Sequence, residues 1–289
     1  MNNIFVSTTY AGDHTSLQKV LIELLDAGIS NIELGSTHLF TPDIPADLIR
    51  KFNNVYAHNY FPAPRESFIL NLTSMDDSLV RYSQEFYINS IQTLARLNCK
   101  LYSIHPGFLA EVNSHDTKKN KGIYDFSFSE TSIEHRSAID KLITNLDPIF
   151  NCAKDNGIEL ALETQGSATS NDSVFFDNKE DIDAVIQEFK GLKLNFNLAH
   201  IYLSSKINDF DPNTLVSHCR NNIGCAELSF ISGNHDAHNP YAQDFNDEEY
   251  LRYVGNAIRS TENIIIELRN TSIDNIFKTT NYITGLYEN

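Results

Sequence analysis

The run Leu101-Tyr-Ser-Ile-His105 is a short apolar segment that ends in a side chain able to bind a metal, and this pattern recurs along the sequence. Asn54-Val-Tyr-Ala-His58 ends in the same way, while Ile158-Glu-Leu-Ala-Leu-Glu163 and Ile264-Ile-Ile-Glu267 end in a carboxylate. The other members of the series are Leu192–Asn197, followed by His200, and Ile223–Glu227, followed by Asp236 and His238. Six strand-like segments that deliver ligand-type side chains at the same end predict one shared site.

Between the apolar runs lie longer segments with helical spacing. Strands are predicted at about 3–7, 31–35, 54–58, 101–105, 158–163, 192–197, 223–228 and 264–268. Helices are predicted at 16–27, 45–52, 76–97, 129–156, 181–190, 213–220, 247–260 and 273–287. Strict alternation of this kind favours the α/β class and a single (β/α)8 TIM barrel over residues 1–289. An open doubly wound sheet is disfavoured by the strand count and by the lack of GxGxxG after the first strand.

Three long connections follow the fourth, fifth and seventh predicted strands, at 108–127, 164–180 and 229–246. In a barrel of this type the loops after the strands surround the active site. The three connections therefore predict the walls of one active-site mouth.

The composition of the chain restricts its possible binding partners and its cellular location. The net charge is −16, which opposes binding to nucleic acid because phosphates attract basic surfaces. No apolar run approaches the roughly 20 residues of a membrane helix, and the first residues lack a signal-peptide pattern. Four cysteines form no CxxC pair, as is typical of a reducing compartment. We expect a cytoplasmic protein with a small-molecule substrate and no membrane contact; a homo-oligomer is left open.

The mixture of imidazole and carboxylate groups predicts a divalent metal site. Histidines suit Zn, Fe, Mn or Co, whereas an all-oxygen subset suits Mg or Mn. Such a metal supports either proton transfer beside a carbonyl or attack on phosphorus.

One stretch carries a family resemblance. It contains Ala57-His-Asn-Tyr60, Asn71-Leu-Thr-Ser74, Arg81-Tyr-Ser83 and Ile104-His-Pro-Gly-Phe108, in that order. This series resembles the xylose isomerase-like TIM-barrel superfamily, which contains the endonuclease IV-type enzymes and the sugar isomerases and epimerases.

The resemblance implies a set of metal contacts, which departs from the family at two positions. Asn197 stands where aspartate is usual, and Glu227 where histidine is usual. The isomerase-type ligand set becomes Glu163, Asn197, Glu227 and Glu267, all oxygen donors that suit Mg or Mn. The full set of metal contacts that the resemblance implies adds His58, His105, His200, Asp236 and His238.

Two further residues are candidates for substrate binding. Arg269 lies two residues beyond Glu267 and so on the same face, where it can bind an anionic substrate group or the carboxylates themselves. A structural ion pair is the alternative. Glu33 ends the second strand, where it can hydrogen-bond a sugar hydroxyl.

The favoured function is a metal-dependent sugar or sugar-phosphate isomerase or epimerase. In this hypothesis Glu163 and Glu267 exchange a proton with the substrate through an enediolate that the metal stabilises. An endonuclease IV-like metallophosphoesterase is the first alternative. A barrel that has lost catalysis through the changes at Asn197 and Glu227 is the second.

Overall fold

The computed structural model describes residues 3–13, 15–66, 68–116, 125–166 and 173–288. Eight parallel strands close into a barrel in the order β1-β12-β9-β8-β7-β4-β3-β2, which confirms the predicted (β/α)8 fold. That residues 1–289 form one domain stays a prediction. The barrel strands are β1 Asn3–Ser7, β2 Asn31–Leu34, β3 Asn54–His58, β4 Leu101–Ile104, β7 Glu159–Glu163, β8 Lys193–Asn197, β9 Ile223–Leu228 and β12 Asn263–Ile266.

Helices cover the outside of the barrel. Within α1, for example, Val20, Leu21 and Leu24 recur at helical spacing and are fully buried, so this face packs on the strands. None of the described helices combines the length and the apolar character that crossing a membrane requires. The helices are α1 Leu17–Asp26, α2 Ala46–Ile49, α3 Asp77–Arg96, α4 His135–Asp155, α5 Lys179–Glu188, α6 Leu198–Asn208, α7 Pro212–Cys219, α8 Glu248–Ile258 and α9 Ile273–Glu288, with a 3₁₀ turn at Thr8–Ala11.

Two hairpins occupy connections that were predicted as loops. After β4, strands β5 Ala110–Asp116 and β6 Asp125–Ser132 pair antiparallel, so the predicted helix 129–156 begins only at His135. Glu134 caps that helix, because its Oε2 accepts the Ser137 N–H at 2.9 Å. After β9, strands β10 Phe230–Ser232 and β11 His235–Asn239 form the second hairpin.

An additional helix, α6, begins immediately after β8 and was not predicted. Asn197, the last residue of β8, is its N-cap: the side-chain oxygen accepts the His200 N–H at 3.1 Å. His200 therefore lies in the first turn of a helix and not in a loop.

The barrel interior is built in two layers. Alternate residues of a strand point to the same side, so every second residue faces inward. Phe5 stacks on Tyr56 with ring centroids 4.0 Å apart, within an apolar cluster that is separate from the outer core. Two residues further along the same strands lie Ser7, His58, Ser103, Glu163, Glu227 and Glu267, all buried. The apolar layer thus forms a floor beneath a polar layer at the carboxyl ends of the strands. The floor consists of Phe5, Tyr56, Leu101, Ala161, Cys225 and Ile265.

Candidate metal and catalytic site

Glu163, at the end of β7, is the centre of the polar layer and is only 1% exposed. Its Oε2 lies 2.7 Å from His58 Nε2 and 2.9 Å from His105 Nε2. Its Oε1 lies 3.1 Å from Asn197 Nδ2 and 3.3 Å from His200 Nδ1. One carboxylate therefore joins four of the side chains that were predicted to share a site.

His58 is oriented by the residue that follows it. Asn59 adopts a left-handed backbone conformation with φ 39°, which asparagine tolerates better than most residues. The Tyr87 hydroxyl donates to Asn59 Oδ1 at 2.9 Å, and the Tyr102 hydroxyl donates to the Asn59 carbonyl. These two buried tyrosines fix the turn at the end of β3 and so hold the imidazole in the barrel mouth.

His105 is held by the predicted turn at Pro106-Gly107. Gly107 has φ 125°, and a Cβ atom there would lie 2.6 Å from Thr73 Oγ1. Only glycine fits this approach. Thr73 in turn donates to the Phe108 carbonyl at 2.6 Å, so the segment after β3 clamps the turn after β4.

Asn197 and Glu227 form a hydrogen-bonded pair beside Glu163. Asn197 Nδ2 donates to Glu227 Oε1 at 2.6 Å as well as to Glu163, while Asn197 Oδ1 accepts the His200 N–H. Because Oδ1 caps the helix, the amide nitrogen is the atom that faces the carboxylates. Asn195, which was not predicted, donates from Nδ2 to Glu227 Oε2 at 2.8 Å. Its position two residues before Asn197 is the strand-alternation signal that could have found it.

The hairpin after β9 brings a second group of ligand-type residues to the site. Asp236 Oδ2 lies 3.2 Å from His200 Nε2 and 3.5 Å from His238 Nε2. Asp236 Oδ1 accepts the Ser229 hydroxyl at 2.6 Å, which fixes the carboxylate. His238 Nδ1 then lies 3.0 Å from Glu267 Oε2 and so links the hairpin to β12.

The two predicted substrate-binding residues differ in their surroundings. Arg269 Nη2 lies 3.7 Å from Glu267 Oε1, and its backbone N–H donates to the His238 carbonyl at 3.0 Å. This contact is also that of the structural ion pair, so the role of Arg269 in substrate binding stays a prediction. Glu33 is completely buried, and neither of its carboxylate oxygens has a hydrogen-bond partner.

Burial and mutual attraction divide the carboxylates into ionised and neutral groups. Burial alone raises the pKa of Glu163, but attraction to His105 and His58 holds it well below its usual value. Burial likewise raises the pKa of Glu267, and His238 holds it low. Burial and repulsion from Glu163 and Glu267 instead raise the pKa of Glu227 well above its usual value. Too few positive charges lie in this layer to keep every carboxylate ionised.

The pKa values of the histidines reflect the same excess of negative charge in the polar layer. Burial lowers the pKa of His58, but attraction to Glu163 outweighs it and raises the pKa to about 9. Burial also opposes protonation of His200, whose hydrogen bond to Asp236 and attraction to Glu163 raise its pKa to about 9. A divalent cation would supply positive charge in place of these protons.

The donor atoms fit such a cation. Ligand-type atoms of His58, His105 and Glu163 lie within 4.8 Å of one another, as do those of Glu33, His58 and Glu227. Imidazole nitrogen and carboxylate oxygen are the usual donors to divalent first-row metals. The unpartnered buried oxygens of Glu33 and Nδ1 of His58 are the atoms that such an ion would satisfy. All the predicted site residues meet in this network, and their individual roles stay predictions.

The comparisons with known proteins agree with the fold. The model of the xylose isomerase-like TIM barrel family matches residues 23–256, so the chain belongs to this family. A comparison with curated proteins finds no match.

Several sugar epimerases are among the similar solved structures. A D-tagatose 3-epimerase-like protein has 18% identity and a TM-score of 0.72, with 100% of this chain and 97% of that chain covered. D-psicose 3-epimerase from Clostridium cellulolyticum H10, solved with D-tagatose, has 10% identity and a TM-score of 0.66, with 99% and 92% covered. 3-Keto-D-glucoside 4-epimerase from E. coli has 10% identity and a TM-score of 0.64, with all of both chains covered. At these identities the similarity establishes the fold alone.

Proposed function

We propose that the protein is a divalent-metal-dependent sugar or sugar-phosphate epimerase or isomerase. The observation that carries the proposal is the arrangement of Glu163 and Glu267. Glu163 ends β7 and Glu267 directly follows β12, and these two strands are separated on one side of the barrel by β8 and β9. Between them, Asn197 and Glu227 end the two intervening strands. Carboxylates on either side of a substrate carbon are what proton removal on one face and return on the other require.

The surroundings of the two glutamates suit this role. Attraction to His105 and His58 lowers the pKa of Glu163, which keeps its carboxylate ionised in the metal-free protein. Glu267 is held by His238 and Arg269, which fix its orientation. We assign proton removal and return to Glu163 and Glu267.

The metal is proposed to bind within the polar layer, through Glu163, Asn197, Glu227 and Glu267 with the neighbouring histidine His105. When bound, it supplies positive charge that stabilises the oxyanion developing on the substrate. Mn, Mg, Zn, Co and Fe are the candidate ions. Asn197 provides an oxygen only by giving up its bond to the His200 N–H or by sharing that atom. A carbohydrate partner and a cytoplasmic location belong to the same proposal.

Solvent isotope exchange tests the reaction. The metal-loaded protein is incubated with a panel of ketoses and their phosphates in D₂O, and deuterium at the carbon beside the carbonyl is measured by NMR. We expect exchange into at least one sugar, and its loss in the Glu163→Gln and Glu267→Gln variants. Glu159→Gln is the matched control, because Glu159 is exposed at the opposite end of β7. Exchange that survives both active-site substitutions contradicts the assignment.

A second candidate function rests on the contact between His200, Asp236 and His238. These residues were predicted to retain the endonuclease IV-type pattern, and the structure brings them within 3.2–3.5 Å. Such a group fits a further metal in a phosphoesterase. The net charge of −16 opposes a DNA substrate. Cleavage of an abasic-site duplex with Zn²⁺ or Mn²⁺, lost in Asp236→Asn, is the outcome that favours this alternative.

A further inference from the structure

Glu33 is a buried carboxylate of the barrel interior whose oxygens lack hydrogen-bond partners. Its side chain is 0% exposed, and neither Oε1 nor Oε2 has a hydrogen-bond partner. An ionised carboxylate in this state costs several kcal/mol unless a positive charge or a donor accompanies it. Glu163 and Glu227, in the same layer, differ from Glu33 because each receives hydrogen bonds at both oxygens.

The neighbours of Glu33 are themselves ligand-type residues. Ligand atoms of Glu33, His58 and Glu227 lie within 4.8 Å of one another, and all three residues are buried. They come from three strands, β2, β3 and β9, so the barrel framework fixes their positions. Two carboxylates and one imidazole form a donor set for a divalent cation such as Mn²⁺ or Zn²⁺.

This group is distinct from the group around Glu163. There, the ligand atoms come from His58, His105 and Glu163. His58 is the shared residue: its Nε2 contacts Glu163 at 2.7 Å, while its Nδ1 is buried without a hydrogen-bond partner. A metal-binding histidine commonly ligates through one nitrogen and donates its other N–H to a carboxylate. With Nε2–H donating to Glu163, Nδ1 is the nitrogen that a cation would bind, with release of the proton it carries.

We propose that Glu33 and His58, together with Glu227 as a ligand shared with the first metal, bind a second divalent cation beside the position around Glu163. The inference rests on the proposed function only in that it counts the Glu163 position as the first cation. It gives Glu33 a ligand role in place of the predicted contact with a sugar hydroxyl. A cation held only by His105, Glu163 and their neighbours leaves the Glu33 oxygens without a ligand bond, whereas the second cation supplies positive charge to Glu33 and Glu227 together.

Metal titration without any sugar tests the proposal. The chelator-treated full-length protein is titrated with Mn²⁺, bound Mn²⁺ is counted after equilibrium dialysis, and EPR records magnetic coupling between neighbouring ions. We expect wild type to bind at least two Mn²⁺ per chain with a coupled spectrum. Glu33→Gln, which keeps the size of the side chain, is expected to bind one Mn²⁺ fewer and to lose the coupling. Glu159→Gln, an exposed residue of the same type, should match wild type.

Two results of the titration would overturn the proposal of a second cation. One Mn²⁺ per wild-type chain, or an unchanged count in Glu33→Gln, overturns the proposal and returns Glu33 to the hydroxyl role. If Glu33→Gln does not fold, as judged by circular dichroism, Glu33→Asp replaces it. This variant keeps the charge, so we expect weaker binding of one Mn²⁺, and unchanged binding contradicts the site. Because no sugar is present, a failure of epimerase activity has no bearing on this count.

Discussion

Asn197→Asp is the most informative single substitution in the polar layer. In the structure Asn197 Nδ2 donates to Glu163 Oε1 at 3.1 Å and to Glu227 Oε1 at 2.6 Å. Aspartate places an oxygen where this donor was, so both hydrogen bonds are lost in the metal-free protein. The bond that caps α6 is kept, because aspartate accepts the His200 N–H as asparagine does.

The magnitude follows from these two contacts. A hydrogen bond to a charged group such as Glu163 contributes about 1.5–3 kcal/mol and one to a neutral group such as Glu227 about 0.5–1.5 kcal/mol, so losing both costs about 2–4.5 kcal/mol. For a chain of this size, 1 kcal/mol corresponds to a shift in melting temperature of about 2 °C. We therefore expect the melting temperature of metal-free Asn197→Asp to fall by about 4–9 °C. Adding Mn²⁺ should recover most of this loss, since a carboxylate is a better ligand for a hard cation than an amide.

Thermal unfolding with and without Mn²⁺, after chelator treatment, measures both effects. Asn221→Asp is the control, because Asn221 is exposed in the turn that precedes β9, whereas Glu227 lies near the other end of that strand. Equal melting temperatures for metal-free wild type and Asn197→Asp would refute the inference that the amide holds the two glutamates together. A fall that Mn²⁺ does not reverse would refute the metal site at this position.

Two other predictions concern the residues that shape the mouth. Gly107→Ala should weaken Mn²⁺ binding and lower the free energy of unfolding by at least about 1 kcal/mol. The reason is that φ 125° is strained for alanine and that its Cβ would lie 2.6 Å from Thr73 Oγ1. Unchanged Mn²⁺ binding and unchanged unfolding contradict this prediction. His38 is buried, which lowers its pKa to about 4, and its Nε2 bonds Thr8 Oγ1 at 2.7 Å. Its neutral form stabilises the fold above pH 6.5, and this contribution of about 3 kcal/mol is lost as the pH falls from 6.5 to 4. In urea unfolding at pH 7 and pH 4, the free energy of unfolding of His38→Gln should fall less on acidification than that of wild type. An equal fall would mean that the buried neutral His38 is not the source of the pH dependence.

The barrel could be predicted because its strands carry a simple signal. β3, β4 and β7 are short apolar runs, and the side chain at or just beyond the end of each run reaches the mouth. The ligand-type residues could be located for the same reason. Periodicity alone does not reveal which partner each side chain selects. The contact between Asn197 and Glu227, for example, depends on the register between β8 and β9.

The helix α6 was not predicted because it lacks the alternation of apolar and polar residues that usually marks a surface helix. Leu198, Ile201, Tyr202 and Leu203 are all buried, so the helix has no polar face opposite an apolar one in its first half. The hairpin β5–β6 was missed for a different reason: its register is irregular, with shifts along the ladder that disturb the two-residue alternation.

The position of Asn197 as both the end of β8 and the cap of α6 has a consequence for how this family of barrels diversifies. Asparagine and aspartate cap a helix about equally well, so this position can exchange one for the other while the helix start stays intact. The exchange alters the charge of the cavity by one unit without remodelling the scaffold. A single such step offers an evolving or engineered barrel a way to change the ion it prefers.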